Sequence, residues 1–286
     1  MIFGVIGAGQ MGQGIAQVAA QAGLTVKLSD AKRDLADRGK ASIGKMLDRQ
    51  VEKGRMTSQD RDALLARITV VDGIAAFDDV DVAVEAATEN EQLKIGLFAR
   101  ADEALPPASI LASNTSSISI TKLAAATRRA ERVIGMHFMN PVPLMKLCEI
   151  VRGVQTSDDT YATIRGLAEK FGKTVITSQD RPGFLVNRIL LPLLNEACFA
   201  LQEGVGSAED IDAGARLGLN HPMGPLELSD LIGLDTVLAI ADVLHREIGD
   251  SKYRAPTLLR NLVAAGWLGK KTGRGFYRYD DRGQKL

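Results

Sequence analysis

Only two cysteines occur in the 286 residues, and Cys148 and Cys198 stand in no C-x-x-C or other metal-type spacing. That excludes a disulfide framework and a cysteine-based metal site, and leaves two thiols expected to be buried in a reducing compartment. Charge of one sign is also lacking: lysine plus arginine and aspartate plus glutamate number 35 each. A balanced chain has no overall field for nucleic acid or an anionic membrane surface, so any anion site must be local. No apolar run approaches the roughly 18 residues of a membrane-spanning helix. The first strand begins too near Met1 to leave room for the charged start of a leader. A soluble, cytoplasmic protein is the expectation. Neither an internal repeat nor a low-complexity segment is present, and the length suits two domains.

What is present is concentrated in the first thirty residues. Ile2-Phe3-Gly4-Val5-Ile6 is a short apolar run of the kind that makes a buried parallel strand. Gly7-Ala8-Gly9-Gln10-Met11-Gly12 follows, then a helical pattern through Ile15, Val18, Ala19 and Ala22, then a second strand Leu24–Ser29 closed by Asp30. In such a strand, turn and helix, Gly7 permits the tight turn, Gly9 lets a pyrophosphate approach the backbone, and Gly12 lets the helix pack on the strand. The helix start then offers N–H groups to the phosphates. An acid about 20 residues on completes a dinucleotide-binding pattern. Asp30 would accept hydrogen bonds from the ribose hydroxyls and repel a 2′-phosphate, which favours NAD over NADP. Lys32 and Arg33, just beyond it, work against that preference or serve as a solvated helix start.

From Ala31 to Arg67 the strand rhythm stops and a charge-rich amphipathic stretch predicts a projecting helical hairpin, with Ile43, Met46, Leu47 and Val51 on one face. Lys45, Arg49 and Lys53 recur along one side; on spacing alone this reads as a solvated face. Strands then alternate with helices again: Ile68–Val71, Val80–Glu85, Ser109–Ala112, Val133–Met136, Leu147–Val151 and Val175–Thr177. The expectation is an α/β, doubly wound, mainly parallel sheet of Rossmann type. Ligands collect at the carboxyl ends of such strands, and the polar clusters fall there: Glu89-Asn90, Ser113 to Ser117, and His137 to Pro141.

Glu149 is a lone acid in an apolar strand, and a buried carboxylate needs a partner. His137 is the nearest candidate. Such a pair suits a dehydrogenase, since the imidazole can take an alcohol proton while the carboxylate fixes its tautomer. The competing reading is a structural histidine beside an unrelated edge glutamate. Turn chemistry at Asp180-Arg181-Pro182-Gly183 predicts a boundary, giving domains 1–181 and 182–286. The second is helical, with a long apolar helix from Phe184 to Leu201 that Pro192 should kink, and a bundle apolar on several faces commonly dimerises.

Taken together, Gly7–Gly12, Glu85–Asn90, Ser113–Ser117, His137–Pro141 and Asp180–Arg188 resemble the motifs of the L-3-hydroxyacyl-CoA dehydrogenase family, of the short-chain 3-hydroxybutyryl-CoA type, over essentially the whole chain. The resemblance implies a catalytic role for His137, an orienting role for Glu149, and contact with the reacting oxygen or substrate for Ser116 and Asn187. It implies NAD neighbours in Glu89, Lys94, Asn140 and Lys271 besides the glycine loop and Asp30. It also implies a coenzyme A phosphate site near Ser42, Arg49 and Lys53, where Arg49 stands in place of a lysine found in many relatives. The implied partner is an acyl-CoA, and the implied assembly a homodimer through the C-terminal helices.

Two other functions stay open at this level. A dehydrogenase of a sugar acid such as L-gulonate shares the glycine loop and the Ser and His segments but has no use for a cationic coenzyme A site. A non-catalytic NAD-binding structural protein would share the fold without needing His137, Glu149, Ser116 and Asn187 together. A third arrangement, a subunit of a larger β-oxidation assembly, lacks support because no hydratase-like segment is present.

Overall fold

The computed structural model describes residues 1–286, which divide into two units, Met1–Arg181 and Pro182–Leu286. The first unit is organised by eight strands: β1 Ile2–Ile6, β2 Thr25–Ser29, β3 Ile68–Val70, β4 Val82–Glu85, β5 Ile110–Ser113, β6 Val133–Phe138, β7 Leu147–Arg152 and β8 Thr174–Gln179. They form one sheet in the order β3-β2-β1-β4-β5-β6-β7-β8. Only β6 and β7 pair antiparallel. β4, β5 and β6 are buried along their whole length, which is why they read as continuous apolar runs without alternation. Strand order reverses between β1 and β4, and a doubly wound sheet opens a ligand crevice at that place.

Helices cover both faces. α1 Gln10–Gln21, α2 Arg33–Glu52, α3 Ser58–Ala66 and α6 Asp158–Lys170 lie over one face, where Ile15, Val18, Ile43, Leu47 and Ile164 join Phe3, Val5, Val26, Val84 and Ile134 in one core. α4 Glu91–Ala104 and α5 Ile120–Ala125 lie over the other. Several helix starts follow the expected chemistry: Thr57 accepts from the Asp60 N–H at 3.0 Å, and Asn90 from the Leu93 N–H at 2.9 Å. Asn90 is therefore the cap of α4. The helical pair α2 and α3 is the predicted hairpin, and α2 lies along the core with Ala36, Gly39, Ile43 and Leu47 buried.

The second unit holds α7 Val186–Gln202, α8 Ala208–Ala213, α9 Pro225–Ile232, α10 Leu234–Ile248 and α11 Thr257–Ala264 around Leu191, Leu194, Leu226, Val237, Leu244 and Tyr253. Gly233, at φ +101°, separates α9 from α10. Pro192 lies inside α7. After α11 the chain returns across the bundle and is fastened to two buried acids. Asp230 accepts from the N–H groups of Phe276 and Tyr277 and from the Tyr279 hydroxyl, each at 2.9 Å. Asp212 accepts from the Leu226 and Glu227 N–H groups and from the Tyr277 hydroxyl. No helix in either unit is long and apolar enough to cross a membrane.

Candidate active site

The glycine loop between β1 and α1 has the geometry its spacing predicts, and each glycine is needed for a different reason. Gly7 sits at φ +104°, and a Cβ there would meet the Ala86 carbonyl oxygen at 2.7 Å. A Cβ on Gly12 would stand 1.7 Å from the Gly7 carbonyl oxygen, so the helix approaches the turn more closely than any side chain allows. A Cβ on Gly9, by contrast, would meet nothing within 4 Å. That open volume lies where a pyrophosphate is expected, and no side chain caps α1, so its first N–H groups are available to an anion. Asp30 fastens the loop from the end of β2: Oδ2 accepts from the Ala8 N–H at 2.6 Å and Oδ1 from the Ala31 N–H at 2.7 Å. A cavity of about 820 Å³ runs along this edge, with Gly7, Gly9, Asp30, Ile74, Ala87 and Arg100 among its walls. The arrangement fits a dinucleotide.

Further along the same edge, the antiparallel register of β6 and β7 sets His137 directly opposite Glu149. Directly opposed residues point to the same face of a sheet, so the two side chains meet without any loop having to place them. His137 Nδ1 lies 3.0 Å from Glu149 Oε2, with the residues 5% and 0% exposed. With Glu149 as the acceptor of this bond, the ring hydrogen is on Nδ1 and Nε2 is left facing Ser116. Ser116 Oγ stands 3.1 Å from Nε2. Three residues named from the sequence thus form one chain, Ser116–His137–Glu149, at the carboxyl ends of β5 and β6. Asn114 helps hold it, its Oδ1 accepting from the Phe138 N–H at 2.9 Å.

The loop that bears Ser116 is fastened to Glu89. Its Oε1 accepts from the Thr115 hydroxyl at 2.6 Å, the Ser116 N–H at 2.9 Å, and the Ser117 N–H and hydroxyl at 3.1 Å. Its Oε2 faces the Lys94 ammonium at 3.3 Å. Burial opposes ionisation of Glu89, but Lys94 and the donors from Thr115, Ser116 and Ser117 outweigh it and hold the carboxyl below its usual range. Lys94 lies behind Glu89, buried against Glu85 Oε1 at 2.6 Å. Glu85 also accepts from the Ala87 N–H and, at 2.7 Å, from the Ser113 hydroxyl. Sequence reasoning gave Glu85 no role, although it carries the same signal as Glu149: a single acid in an apolar strand.

The remaining candidates are placed as follows. Asn140 is exposed on the loop after β6. Arg49 and Lys53 are exposed at the end of α2, Ser42 is half-buried about two turns earlier, and neither cation is in an ion pair. Of the two acids beside them, Asp48 and Glu52, the first pairs with Arg61 of α3. In the second unit Asn187 is buried in the first turn of α7, and Lys271 pairs with Asp235 at 2.6 Å. Two close approaches went unread: Gly39 of α2 lies against Ala8, and Gly14 of α1 against Val142, each leaving under 3 Å for a Cβ. The only signal for either was a glycine inside a helical pattern.

Comparison with known proteins shows the family. The family model described as 3-hydroxyacyl-CoA dehydrogenase, NAD binding domain, matches residues 3–181, and that described as 3-hydroxyacyl-CoA dehydrogenase, C-terminal domain, matches residues 183–279. The chain is 54% identical over 279 residues to a probable 3-hydroxybutyryl-CoA dehydrogenase of Deinococcus radiodurans, covering 98% of this chain and 100% of that one. It is 53% identical over 282 residues to a 3-hydroxybutyryl-CoA dehydrogenase of Bradyrhizobium diazoefficiens, covering 99% and 96%. Among solved structures, the (S)-3-hydroxybutyryl-CoA dehydrogenase of Ralstonia eutropha superposes with a TM-score of 0.95 at 50% identity, covering 98% of this chain and 99% of that one.

Proposed function

Since the chain belongs to the 3-hydroxyacyl-CoA dehydrogenase family, whose enzymes are NAD-dependent oxidoreductases, we propose that it interconverts (S)-3-hydroxybutyryl-CoA and acetoacetyl-CoA, with His137 and Glu149 as the acid/base pair. The observation that carries the reading is the cross-strand His137–Glu149 pair with Ser116 on the other ring nitrogen. When bound, NAD supplies the acceptor for the hydride that leaves C3 of the alcohol. Residues of the glycine loop, the start of α1 and Asp30 would hold its adenosine and phosphate end, Glu89 a ribose or phosphate with Lys94 behind it, and Asn140 its nicotinamide. Lys271 is carried as a cofactor neighbour by the resemblance alone.

The protein's own part in the reaction is proton transfer and positioning. His137 Nε2 takes the hydroxyl proton during oxidation and returns it during reduction, and Glu149 stabilises the imidazolium that forms. Ser116 Oγ, within hydrogen-bond reach of Nε2, holds the reacting oxygen beside it. Asn187 is proposed as a substrate amide on the resemblance alone. Ser42, Arg49 and Lys53 would take the coenzyme A phosphates, a role to which the two exposed cations at the end of α2, in no ion pair, are suited. Exposed Leu185 and Ile189, 44% and 69%, support a homodimer through the second unit. We place that dimer in the cytoplasm.

The sugar-acid alternative shares the dyad and differs at α2, so one set of initial rates separates the two readings. Acetoacetyl-CoA, longer 3-oxoacyl-CoAs and L-gulonate are compared, each with the matching reduced or oxidised form of NAD and NADP. Turnover of acyl-CoA with NADH is expected. Arg49→Glu with Lys53→Glu should raise KM for acyl-CoA about 10-fold or more and flatten its salt dependence, with NADH affinity unchanged. Turnover of the sugar acid alone, or an unchanged acyl-CoA KM in the charge-reversed variant, would overturn the corresponding assignment.

A further inference from the structure

Beneath the loop that carries Ser116 lies an ionic chain that the dyad chemistry does not use. Glu85 and Lys94 have side chains only 1% exposed, and they meet at 2.6 Å. Lys94 reaches on to Glu89 Oε2 at 3.3 Å and to the Ala87 carbonyl oxygen at 3.3 Å. Glu89 Oε1 then collects four donors from Thr115, Ser116 and Ser117. On the other side, Glu85 Oε2 accepts from the Ser113 hydroxyl, and Ser113 is the register partner of Glu85 across β4 and β5. The loop from Ser113 to Ser117 is therefore gripped at both ends by charges that share one buried ammonium. Replacing a buried ion pair by apolar groups of similar size is often neutral or stabilising, so this pair is poorly explained by stability.

We propose that Glu85 is a positioning residue for the reaction, holding through Lys94 and Glu89 the loop that sets Ser116 against His137. The inference rests on the reading of Ser116 and His137 given above. Glu85 fixes the ammonium between the two carboxylates. With Lys94 fixed, Glu89, itself 40% exposed, is kept turned toward the loop, away from solvent. Removing the charge of Glu85 leaves Lys94 with Glu89 as its only anionic partner, so the ammonium shifts toward Glu89 and the donors on Oε1 shift with it. Ser116 Oγ then moves relative to Nε2.

The test is a double-mutant cycle on the intact enzyme with acetoacetyl-CoA and NADH, comparing Glu85→Gln, Ser116→Ala and the two combined. Glu85→Gln should lower kcat about 10- to 100-fold, as a small misplacement of a reacting group does, while the KM for acetoacetyl-CoA changes less than about 3-fold. In the Ser116→Ala background the same substitution should change kcat by less than about 2-fold, because the loop then has no hydroxyl to position. A merely structural role would multiply through in full. Wild-type kcat in Glu85→Gln, or full multiplication in the combined variant, overturns the inference while the site reading stands. A wild-type rate in Ser116→Ala overturns the site reading, and this inference with it. Should Glu85→Gln fail to fold, Glu85→Gln with Lys94→Met leaves no lone buried charge; a wild-type kcat there overturns the proposal and a similar loss supports it.

Discussion

Replacing Glu149 by glutamine keeps the shape of the side chain and removes its charge, which isolates what the carboxylate does for His137. In the resting site the two groups share one hydrogen bond, Nδ1 to Oε2 at 3.0 Å, and both residues are buried. A glutamine carbonyl can still accept that bond, so the tautomer survives and a neutral bond of about 1 kcal/mol replaces the charged one. The larger loss appears when His137 holds the substrate proton. Opposite charges about 4 Å apart attract by about 4 kcal/mol at an effective dielectric near 20. At about 1.4 kcal/mol per factor of ten, that corresponds to roughly 10³ in kcat. Allowing for the neutral bond that remains, Glu149→Gln should lower kcat about 10²- to 10³-fold. Steady-state rates of NADH oxidation with acetoacetyl-CoA measure the loss, and fluorescence titration of NADH should give the wild-type Kd. A kcat within about 3-fold of wild type would mean that His137 is oriented by some other group, and the dyad reading would fail even with the family unchanged.

The two glycines of the dinucleotide loop should fail in opposite ways: Gly12→Ala, whose Cβ would overlap the Gly7 carbonyl, should unfold the loop and lower Tm, whereas Gly9→Ala meets nothing in the protein and should leave Tm alone while weakening NADH at least about 10-fold. Equal Tm losses in the two variants would refute the distinction. Asp102 resists ionisation by burial, but the Arg128 N–H and the Arg129 and Arg128 guanidinium groups outweigh this and hold its carboxyl below the usual range. Its stabilisation is thus complete above the unfolded value of about 3.9 and fades as pH falls through the folded one. Asp102→Asn should destabilise by about 3 kcal/mol at pH 7 in urea titrations, with the gap to wild type closing below about pH 4; a gap independent of pH would contradict the assignment. Burial pushes Cys148 and Cys198 up to about 12, so neither should react with Ellman's reagent in native protein at pH 8, and both should after denaturation.

Much of the site could be read from the chain because its chemistry sits at strand ends, and strand ends are visible as the place where an apolar run meets polar residues. His137 and the polar run that holds Ser116 were singled out in this way, the glycine loop and Asp30 by their spacing, Glu149 as a lone acid in an apolar strand, and the role of Ser116 by the resemblance. Glu85 was not, because its partner Lys94 is on a helix after a turn, and pairing across a turn leaves no periodic trace. The tail of the second unit shows the same limit more sharply. Asp212 and Asp230 look like ordinary polar positions of amphipathic helices, yet both are buried, because the returning chain delivers the N–H groups of Phe276 and Tyr277 and the hydroxyls of Tyr277 and Tyr279 to them. Burial still pushes Asp230 above its ordinary carboxyl range, partly offset by those donors. Nor does a helical run reveal Gly233 as a break: a lone glycine is tolerated in helices, and only its positive φ separates α9 from α10.

The two halves of the proposed catalytic chain are held by different physics, and this has a consequence for how the site can vary. His137 and Glu149 meet through strand register, and a slip of one residue would turn either side chain to the opposite face of the sheet. Their alignment is therefore all or none, and errors in it abolish the site. Ser116 is on a loop whose position is set by hydrogen bonds to Glu89 and by the charges of Lys94 and Glu85, all of which respond by degrees to substitution. Graded changes in rate should accordingly arise from the loop and its ionic support, and abrupt losses from the strands. Substitutions at Ser113, Thr115 and Ser117, which hydrogen-bond to this support, should shift kcat by intermediate factors of about 3 to 30, measured as a series against acetoacetyl-CoA; a series that split only into inactive and unaffected variants would show that the loop, too, is held all or none.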